Sequence, residues 1–368
     1  YLTGGKLGDV YGKKKIFRLG VILFGLGTLI TTVSPNAIIL TLGWSIIKTL
    51  GGMMIVPTTL ALIVVNYSEA KRALAFGIYA AVTSLAVLVG PLLMGFFTTY
   101  VTWRLGFAIE PLLFMIILGL MFSVRETETP DDVEFDYVGT LLSSLGIATL
   151  VIAASLASRY GWWTARRTFN LAGSEISPFG LSIVPFLLVF GVLILVAFIN
   201  WEDTRITLGK LPLFQGTFFR SPQYTFGLLT NTLCSVSIAG FLFITPIFLQ
   251  SLGATGLETG IILLPYSMCL VLFSLTTASL SQIIPPKYII QFGLVLMLTG
   301  VWLTHDILTV QVTEEQLFWG FVLFGSGTGI VLAQVSNVPL SAVSSSESGT
   351  ASGVLETTRE MGIAFGVA

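Results

Sequence analysis

Residues Gly4–Phe17 read GGKLGDVYGKKKIF, and a long apolar run follows directly. Gly5, Gly8 and Gly12 of this stretch lack a Cβ atom, so two helix ends can approach each other closely. Asp9 is placed where a carboxylate can contact basic groups or a helix N-terminus. The lysines at positions 13–15 face the membrane surface if the apolar run crosses a bilayer. The stretch therefore predicts a short, basic loop between two closely packed membrane helices.

The composition of the whole chain indicates its class. Of its 368 residues, 54% are hydrophobic and only 10% are charged. A soluble domain carries about 25% charged residues, so this chain cannot cover a globular surface with them. The net charge of −1 argues against nucleic-acid binding. With 2 cysteines and 1 histidine, neither a disulfide framework nor a His/Cys metal site is expected, and no cofactor is predicted. We interpret the chain as a polytopic membrane protein surrounded by lipid.

Long apolar stretches predict where the chain crosses the bilayer, which takes about 20 residues in a helix. Strands are not expected, because the strands of membrane barrels are short and alternate apolar with polar residues. The sequence therefore predicts an all-α fold. Its ten spans are Ile16–Ser34, Ile38–Val64, Leu74–Phe97, Leu105–Ser123, Tyr137–Ala157, Phe179–Asn200, Tyr224–Gln250, Thr259–Gln282, Tyr288–Leu308 and Leu317–Leu340.

Basic residues in the loops predict the orientation, because the side richer in Lys and Arg is cytoplasmic. The loops on the predicted outer side hold only Arg104, Arg159, Arg166 and Arg167. The loops on the predicted cytoplasmic side hold Lys6, Lys13, Lys14, Lys15, Arg18, Lys71, Arg72, Arg125, Arg205, Lys210, Arg220 and Lys287. The acidic residues between Glu126 and Asp136 are interpreted as a solvated linker on that side.

The opening stretch matches the pattern G-x-L-x-D-x-x-G-[RK]-[RK] through Gly5, Leu7, Asp9, Gly12, Lys13 and Lys14. It resembles the signature loop between the second and third helices of the major facilitator superfamily. In that family the loop is a conformational latch rather than a substrate site, and the resemblance implies this role here. The sequence departs from the family at Val10, where Arg is usual. A basic loop with turn glycines and no such role is the alternative.

A second motif lies in the third complete span, at Gly77, Gly90, Pro91 and Gly95. Proline removes a backbone hydrogen bond and kinks a helix, and the glycines leave room for a neighbouring helix. The motif resembles the antiporter motif of the fifth helix in drug–proton exporters of the same superfamily. Ala86 and Met94 stand where that motif usually has glycine. A generic proline-kinked span is the alternative.

Shorter matches follow in the order found in the fourteen-helix exporters of this family. They are Trp103 to Pro111, Phe135-Asp136-Tyr137-Val138-Gly139, Pro246–Gln250, Gly260–Pro265, and Arg359 with Gly362 and Gly366. The resemblance implies that the ten spans are helices three to twelve. Gly349–Ala368 would then belong to helix thirteen, and we expect the chain to be a piece of a longer protein that lacks the first and last helices.

The same resemblance implies a division of the chain into three parts. Residues 1–124 would form an N-terminal helix bundle, from the end of helix two to helix six. Residues 125–200 would hold the acidic linker and two inserted helices. Residues 201–368 would form a C-terminal bundle, from helix nine to part of helix thirteen. The expected architecture is therefore a major facilitator fold with two bundles and an inserted helix pair.

Ionisable residues inside spans are costly and are functional candidates for that reason. Lys48 lies about ten residues into its span, roughly 15 Å deep at the helical rise and hence near the midplane. The stretch from Lys48 to Gly52 resembles a helix-four segment in which a basic residue takes part in proton transfer. A lysine that pairs with a carboxylate and only joins two helices is the alternative.

Glu110 lies about 9 Å along the helical rise from Arg104, nearer the outer face. The family usually has Asn at this position, so no family role carries over to the glutamate. A carboxylate among apolar side chains can carry a proton or pair with a cationic substrate, and equally it can be hydrated at the helix end. We predict Lys48 and Glu110 as the candidates for proton coupling.

Glu356 and Arg359 are spaced i to i+3, which puts both side chains on one helix face. We interpret them as a local ion pair close to the cytoplasmic surface, with side chains that extend towards it. The glycine-rich Gly325–Gly329 lacks the strand and the lysine of a nucleotide-binding loop, so an ion gradient is expected to drive any transport.

These residues together favour transport over catalysis. An enzyme that acts on lipids needs a nucleophile, a metal or an acid–base set at the membrane surface, and none is predicted. The resemblance implies a monomeric secondary transporter of the cell membrane. It would export small hydrophobic or amphiphilic compounds in exchange for protons, by alternating access. An importer, an exporter of a specific metabolite or siderophore, and a non-transporting sensor are the alternatives.

Overall fold

A computed structural model describes residues 1–124, 135–171, 174–176, 180–210, 212–213, 219–281, 283–307, 314–344 and 347–368. Most of the acidic linker, residues 126–134, lies outside the described residues, whereas its last member, Asp136, lies within them. Helices account for most of the described chain, and they confirm the all-α prediction.

The helices follow one another through short connections. They are α1 Leu2–Tyr11, α2 Lys13–Thr32, α3 Ala37–Thr41, a π-helical segment Leu42–Lys48, α4 Thr49–Asn66, α5 Glu69–Tyr100, α6 Trp103–Ala108, α7 Glu110–Leu120, a 3-10 turn Met121–Ser123, α8 Tyr137–Tyr160, α9 Ile183–Thr207, α10 Pro222–Ser251, α11 Gly256–Ile262, α12 Leu264–Leu280, α13 Pro286–Ile307, α14 Glu314–Val335, α15 Asn337–Leu340 and α16 Ser348–Val367.

The helices agree with the ten predicted spans. Within the described residues, nine stretches of helix are long and apolar enough to cross a membrane, and α11 with α12, bent by 46°, makes a tenth. A small hairpin lies in the connection between α8 and α9 and leaves the all-α class unchanged. Its strands, β1 (Phe169–Leu171) and β2 (Ser174–Ile176), pair antiparallel with Asn170 opposite Glu175.

The predicted loop at Gly4–Phe17 is also shorter than expected. Helix α1 continues to Tyr11 and α2 begins at Lys13, so Gly12 alone separates them. Gly12 has a φ of 99°, a conformation that a side chain would strain. The predicted turn is confirmed at Gly12. The residues on both sides of it, which were predicted as loop, are helical.

Large apolar side chains cover the outside of the molecule. Leu112, Met115 and Leu298 are 67%, 70% and 72% exposed. In water, the exposed apolar surface of each side chain would cost a free energy of about 25 cal/mol per Å². In lipid this cost disappears, because the surrounding chains are as apolar as the side chains.

Two helix contacts position the functional residues. On one side of the molecule α1 and α4 pack against α16, and on another α5 packs against α11, α12 and α14. Helices α1 and α16 can lie this close together because Gly5 has no Cβ atom. A Cβ atom there would overlap the carbonyl oxygen of Gly349. Helices α8 and α9 pack on each other, and α8 also touches α16. The bundle boundaries near residues 124 and 200 stay a prediction.

Candidate functional site

Asp9, near the end of α1, reaches across to the first turn of α16. Its Oδ1 accepts a hydrogen bond from the Gly349 amide at 3.0 Å. Its Oδ2 accepts two from Thr350, at 2.6 Å from the amide and 2.8 Å from the hydroxyl. The first amides of a helix have no partner within the helix and carry partial positive charge. The Asp9 carboxylate therefore stabilises the start of α16.

Lys13 completes this cluster from the other side of Gly12. Its Nζ lies 2.8 Å from Asp9 Oδ1, and the two side chains are only 5% and 9% exposed. Lys14 points elsewhere and donates to the carbonyl oxygen of Val124 at 2.6 Å. Val10, where the family usually has arginine, is buried. The structure thus brings Gly5, Asp9 and Lys13 together at α16, whereas their role as a latch stays a prediction.

The two proton-coupling candidates contact each other. Lys48 Nζ lies 2.7 Å from Glu110 Oε2, and the hydroxyl of Thr28 donates to the same oxygen at 3.1 Å. The Lys48 side chain is 12% exposed and that of Glu110 is 32% exposed. The alternative of a lysine that pairs with a carboxylate and joins two helices describes this contact without naming Glu110. The structure makes the two residues one site that joins α2, the π-helical segment and α7, and their role in proton coupling stays a prediction.

Three local features of the chain bring this pair together. The π-helical segment ends at Lys48, and such wide turns recur at functional sites. Helix α6 ends before Ile109 and α7 starts at Glu110, next to Pro111, which has no amide hydrogen to continue a helix. A Cβ atom at Gly27 would overlap the backbone nitrogen of Lys48, so only glycine permits this approach.

Aromatic rings surround the Lys48 ammonium group. Its Nζ lies 4.8 Å from the ring centroid of Phe24, 5.2 Å from that of Phe107 and 5.8 Å from that of Trp44. A cation at this distance is attracted to the face of a ring. Sequence reasoning missed these rings. Helical spacing could have indicated them, because Trp44 precedes Lys48 by one turn and Phe107 precedes Glu110 by three residues.

The antiporter-like motif lies on α5, and its Gly95 faces α11. A Cβ atom at Gly95 would lie 3.7 Å from Leu257 Cα, and one at Gly260 would lie 3.0 Å from Leu92 Cδ2. A Cβ atom at Gly90 would meet nothing within 4 Å. The helix is continuous through Gly77 and position 91, and the side chain of Pro91 lies outside the described residues. The role of the motif stays a prediction.

A cavity of about 390 Å³ opens between α5 on one side and α10, α12, α14 and α16 on the other. We call it the central cavity. Most of its lining is aliphatic or aromatic, and Thr83, Ser84, Ser235 and Tyr266 add hydroxyl groups. Among the described residues of its wall, Arg359 is the one with a charge.

Arg359 pairs with Glu356, with Nη1 2.8 Å from Oε2. The Glu356 side chain is 3% exposed, whereas that of Arg359 is 37% exposed and lines the central cavity. Arg359 is eleven residues after Ser348, roughly 17 Å along α16 at the helical rise. The pair therefore lies about three turns into α16, beside the central cavity, and its distance from the cytoplasmic surface stays a prediction.

Asp136 corrects a further sequence interpretation. It is 3% exposed rather than part of a solvated linker. Its Oδ1 accepts from the Gly139 amide at 2.9 Å, and it also accepts from the indole Nε1 of Trp201 at 3.1 Å. Arg205 Nε lies 3.3 Å from its Oδ2. Asp136 thus begins α8 and ties it to the end of α9, a contact that the acidic run concealed.

Comparison with known proteins gives a family match over nearly the whole chain. The sequence pattern of the Major Facilitator Superfamily matches residues 1–367. In the solved structure of the human organic anion transporter MFSD10 (TETRAN), the fold is similar, with a TM-score of 0.68 at 14% identity, over 100% of this chain and 72% of that one. At this identity the likeness concerns the fold alone.

Several bacterial proteins are similar over the whole chain. One is a probable actinorhodin transporter of Streptomyces coelicolor, 26% identical, with 100% of this chain and 62% of that protein covered. The multidrug resistance protein Stp of Mycobacterium tuberculosis is 26% identical, with 100% and 64% covered. The puromycin resistance protein pur8 of Streptomyces alboniger is 30% identical, with 100% and 70% covered. The chain spans less than two thirds of the length of the first two.

Proposed function

Because the chain belongs to the major facilitator superfamily and is a multi-pass protein of the cell membrane, we propose that it exports small hydrophobic or amphiphilic compounds in exchange for protons. The observation that carries the proposal is the central cavity, which lies between α5 and four helices of the later half of the chain. The names of the relatives, which include antibiotic resistance and multidrug resistance proteins, support this substrate class. The order of the motifs supports the fourteen-helix branch of drug–proton antiporters.

Alternating access requires a contact that forms in one state and breaks in another. We assign this role to Asp9, whose carboxylate holds the first turn of α16. While these hydrogen bonds persist, α1 and α16 close the end of the molecule that the positive-inside rule places in the cytoplasm. When they break, the central cavity opens to that side.

Proton coupling is assigned to the pair of Lys48 and Glu110. A proton that arrives from outside binds the Glu110 carboxylate and cancels the charge that faces the Lys48 ammonium. Loss of one partner from a buried pair costs about 3–5 kcal/mol, and less at this partly exposed site. This free energy changes the relative stability of the two states. Release of the proton to the cytoplasm restores the pair.

The test is the uptake of a neutral fluorescent amphiphile, Nile red, into everted membrane vesicles whose interior is acidified. We expect Glu110→Gln and Lys48→Ala to reduce proton-driven uptake about a hundredfold, the lower end of the usual range for loss of a proton-transfer group. Arg159→Gln removes an exposed charge and serves as the control. If both variants of the pair take up Nile red like the unaltered protein, the assignment of proton coupling is wrong. If intact cells with the protein accumulate more Nile red than cells without it, and an uncoupler abolishes the difference, the protein is an importer.

A further inference from the structure

The wall of the central cavity combines one arginine with apolar and hydroxyl-bearing side chains in the part of the chain that the structure describes. We propose that Arg359 binds the acidic group of an amphiphilic organic acid, while the apolar wall holds the rest of the molecule. The inference rests on the proposed export function, because it names the substrate class of the same cavity.

The guanidinium group of Arg359 has N–H donors that its contact with Glu356 does not use. Its Nη1 donates to Glu356, and the group makes no other hydrogen bond to the residues that the structure describes. A guanidinium carries five N–H donors in a planar fork that suits a carboxylate. Glu356 is buried at 3% exposure and fixes one edge of the fork. The remaining donors belong to the side chain that is 37% exposed at the cavity wall.

Three of the four hydroxyl groups on the wall cannot donate to an anion as the guanidinium can. Thr83, Ser84 and Ser235 each donate their hydroxyl hydrogen to a carbonyl oxygen one turn earlier on their own helix, at 2.6–2.9 Å. What they present to the cavity is the lone pairs of their oxygens. These accept hydrogen bonds from a substrate hydroxyl or amide and repel a carboxylate. An acid would therefore bind with its charged end at Arg359.

Charge also discriminates against cations in this cavity. A cationic amphiphile would meet the guanidinium, and the carboxylate that could attract it, Glu356, is buried behind Arg359. Glu360 is the other carboxylate near Arg359, but it lies about 100° around the helix and is not part of the described lining. The favoured substrate is therefore anionic or neutral, with a compact apolar body.

The same helix carries both the anchor and the contact with Asp9. Thr350, which Asp9 holds, and Arg359 lie on α16, nine residues apart. A ligand that binds Arg359 therefore contacts α16. In the proposed transport cycle, the first turn of this helix separates from α1 when the cavity opens.

The test is equilibrium binding of three probes that share one apolar body: pyrenebutyric acid, its primary amide and pyrenebutylamine. Fluorescence anisotropy is measured with the protein in nanodiscs, without any gradient. We expect the acid to bind roughly tenfold tighter than the amide, as for a charge-assisted bidentate contact, and the amine to bind weakest. Arg359→Gln should weaken the acid about tenfold and leave the amide within about twofold. Glu356→Gln should tighten the acid, because a competing carboxylate is lost.

Arg359→Lys keeps the charge without the fork and should retain part of the preference for the acid, and Arg159→Gln on the surface should change nothing. Equal weakening of all three probes by Arg359→Gln would mean that Arg359 only supports packing, and it would overturn the proposal. So would a wild-type protein that binds the amine best or does not distinguish acid from amide. If Arg359→Gln does not fold, the order of the three probe affinities in the wild-type protein and in Arg359→Lys still tests the proposal. Binding without a gradient is independent of export, so failure of one leaves the other standing.

Discussion

Two carboxylate–cation sites in this protein differ in surroundings. Asp9 and Lys13 are 9% and 5% exposed, and the Asp9 carboxylate also accepts from two backbone amides and a hydroxyl of α16. Glu110 is 32% exposed, and its partner Lys48 lies among aromatic rings instead of backbone amides. A buried carboxylate held by several donors from another helix ties two helices together. A partly exposed one with few donors stays in contact with its surroundings.

The largest effect is expected for Asp9→Asn. The amide keeps the shape, but it loses the charge and turns one acceptor into a donor that faces Thr350. Charge-assisted hydrogen bonds contribute about 1.5–3 kcal/mol each, so the loss is about 3 kcal/mol. Hydrogen exchange of the first turn of α16, read from peptides over residues 348–355, should accelerate roughly a hundredfold, and transport should fall with it.

Lys13→Met is the matched variant for that measurement, because it leaves both backbone hydrogen bonds in place. It should accelerate exchange far less than Asp9→Asn. Equal acceleration by both variants would show that the ion pair, and not the contact with the helix amides, holds α16.

The second effect concerns the close approach at the same contact. A Cβ atom at Gly349 would overlap Gly5 and the Asp9 carboxylate, so Gly349→Ala should cost about 1–3 kcal/mol through overpacking. Gly90→Ala, where a Cβ atom meets nothing within 4 Å, is the control. Thermal unfolding in detergent compares the two. If Gly90→Ala destabilises the protein as much as Gly349→Ala does, the loss comes from replacing a helical glycine and not from the close approach of α1 to α16.

A smaller effect is expected at the second site. Lys48→Met leaves Glu110 without its partner, but this carboxylate is one-third exposed and can be hydrated. The expected loss of stability is about 1–2 kcal/mol, below the 3–5 kcal/mol of a fully buried pair. The double variant Lys48→Met/Glu110→Gln should recover part of it, because no charge then remains unpaired. Absence of any recovery would show that the pair is not coupled in the unfolding measurement.

The smallest effect is expected for the aromatic rings. Trp44→Leu removes one cation–π contact of Lys48, worth about 0.5–1 kcal/mol at a partly exposed site. Trp163→Leu replaces a tryptophan that is 68% exposed and far in sequence, and it serves as the control. Thermal unfolding again measures both. Equal shifts of the unfolding temperature in the two variants would mean that the Trp44 ring contributes no more to stability than an exposed tryptophan does.

Much of the fold could be predicted from sequence because crossing a membrane is a local requirement. The ten apolar stretches were found from length and hydropathy alone, and the structure has nine of them plus one bent pair within the described residues. The exceptions are places where local pattern is ambiguous. Residues before and after Gly12 continue as helix, and Asp136, grouped with its acidic neighbours, is buried by Trp201 and Arg205 of a distant helix.

The candidate site was predictable only in its parts. Lys48 and Glu110 were found as charges within spans, but their mutual contact crosses 62 positions of sequence. Asp9 was expected to meet a basic group or a helix N-terminus, and it meets both, in Lys13 and α16. Nothing in the spacing of Glu356 and Arg359 indicated that their helix enters the centre of the molecule and that the arginine lines a cavity.

The sequence by itself determined that this protein lies in the membrane, which of its stretches are long and apolar enough to cross and which charges are expensive enough to matter. These follow from composition and from the length of each apolar run, which depend on neighbouring residues. Only the tertiary structure decided which charges meet, since Thr350 lies 341 positions from Asp9 and their contact depends on how α1 packs against α16. A charge in lipid must find a partner, and packing selects that partner from the whole chain.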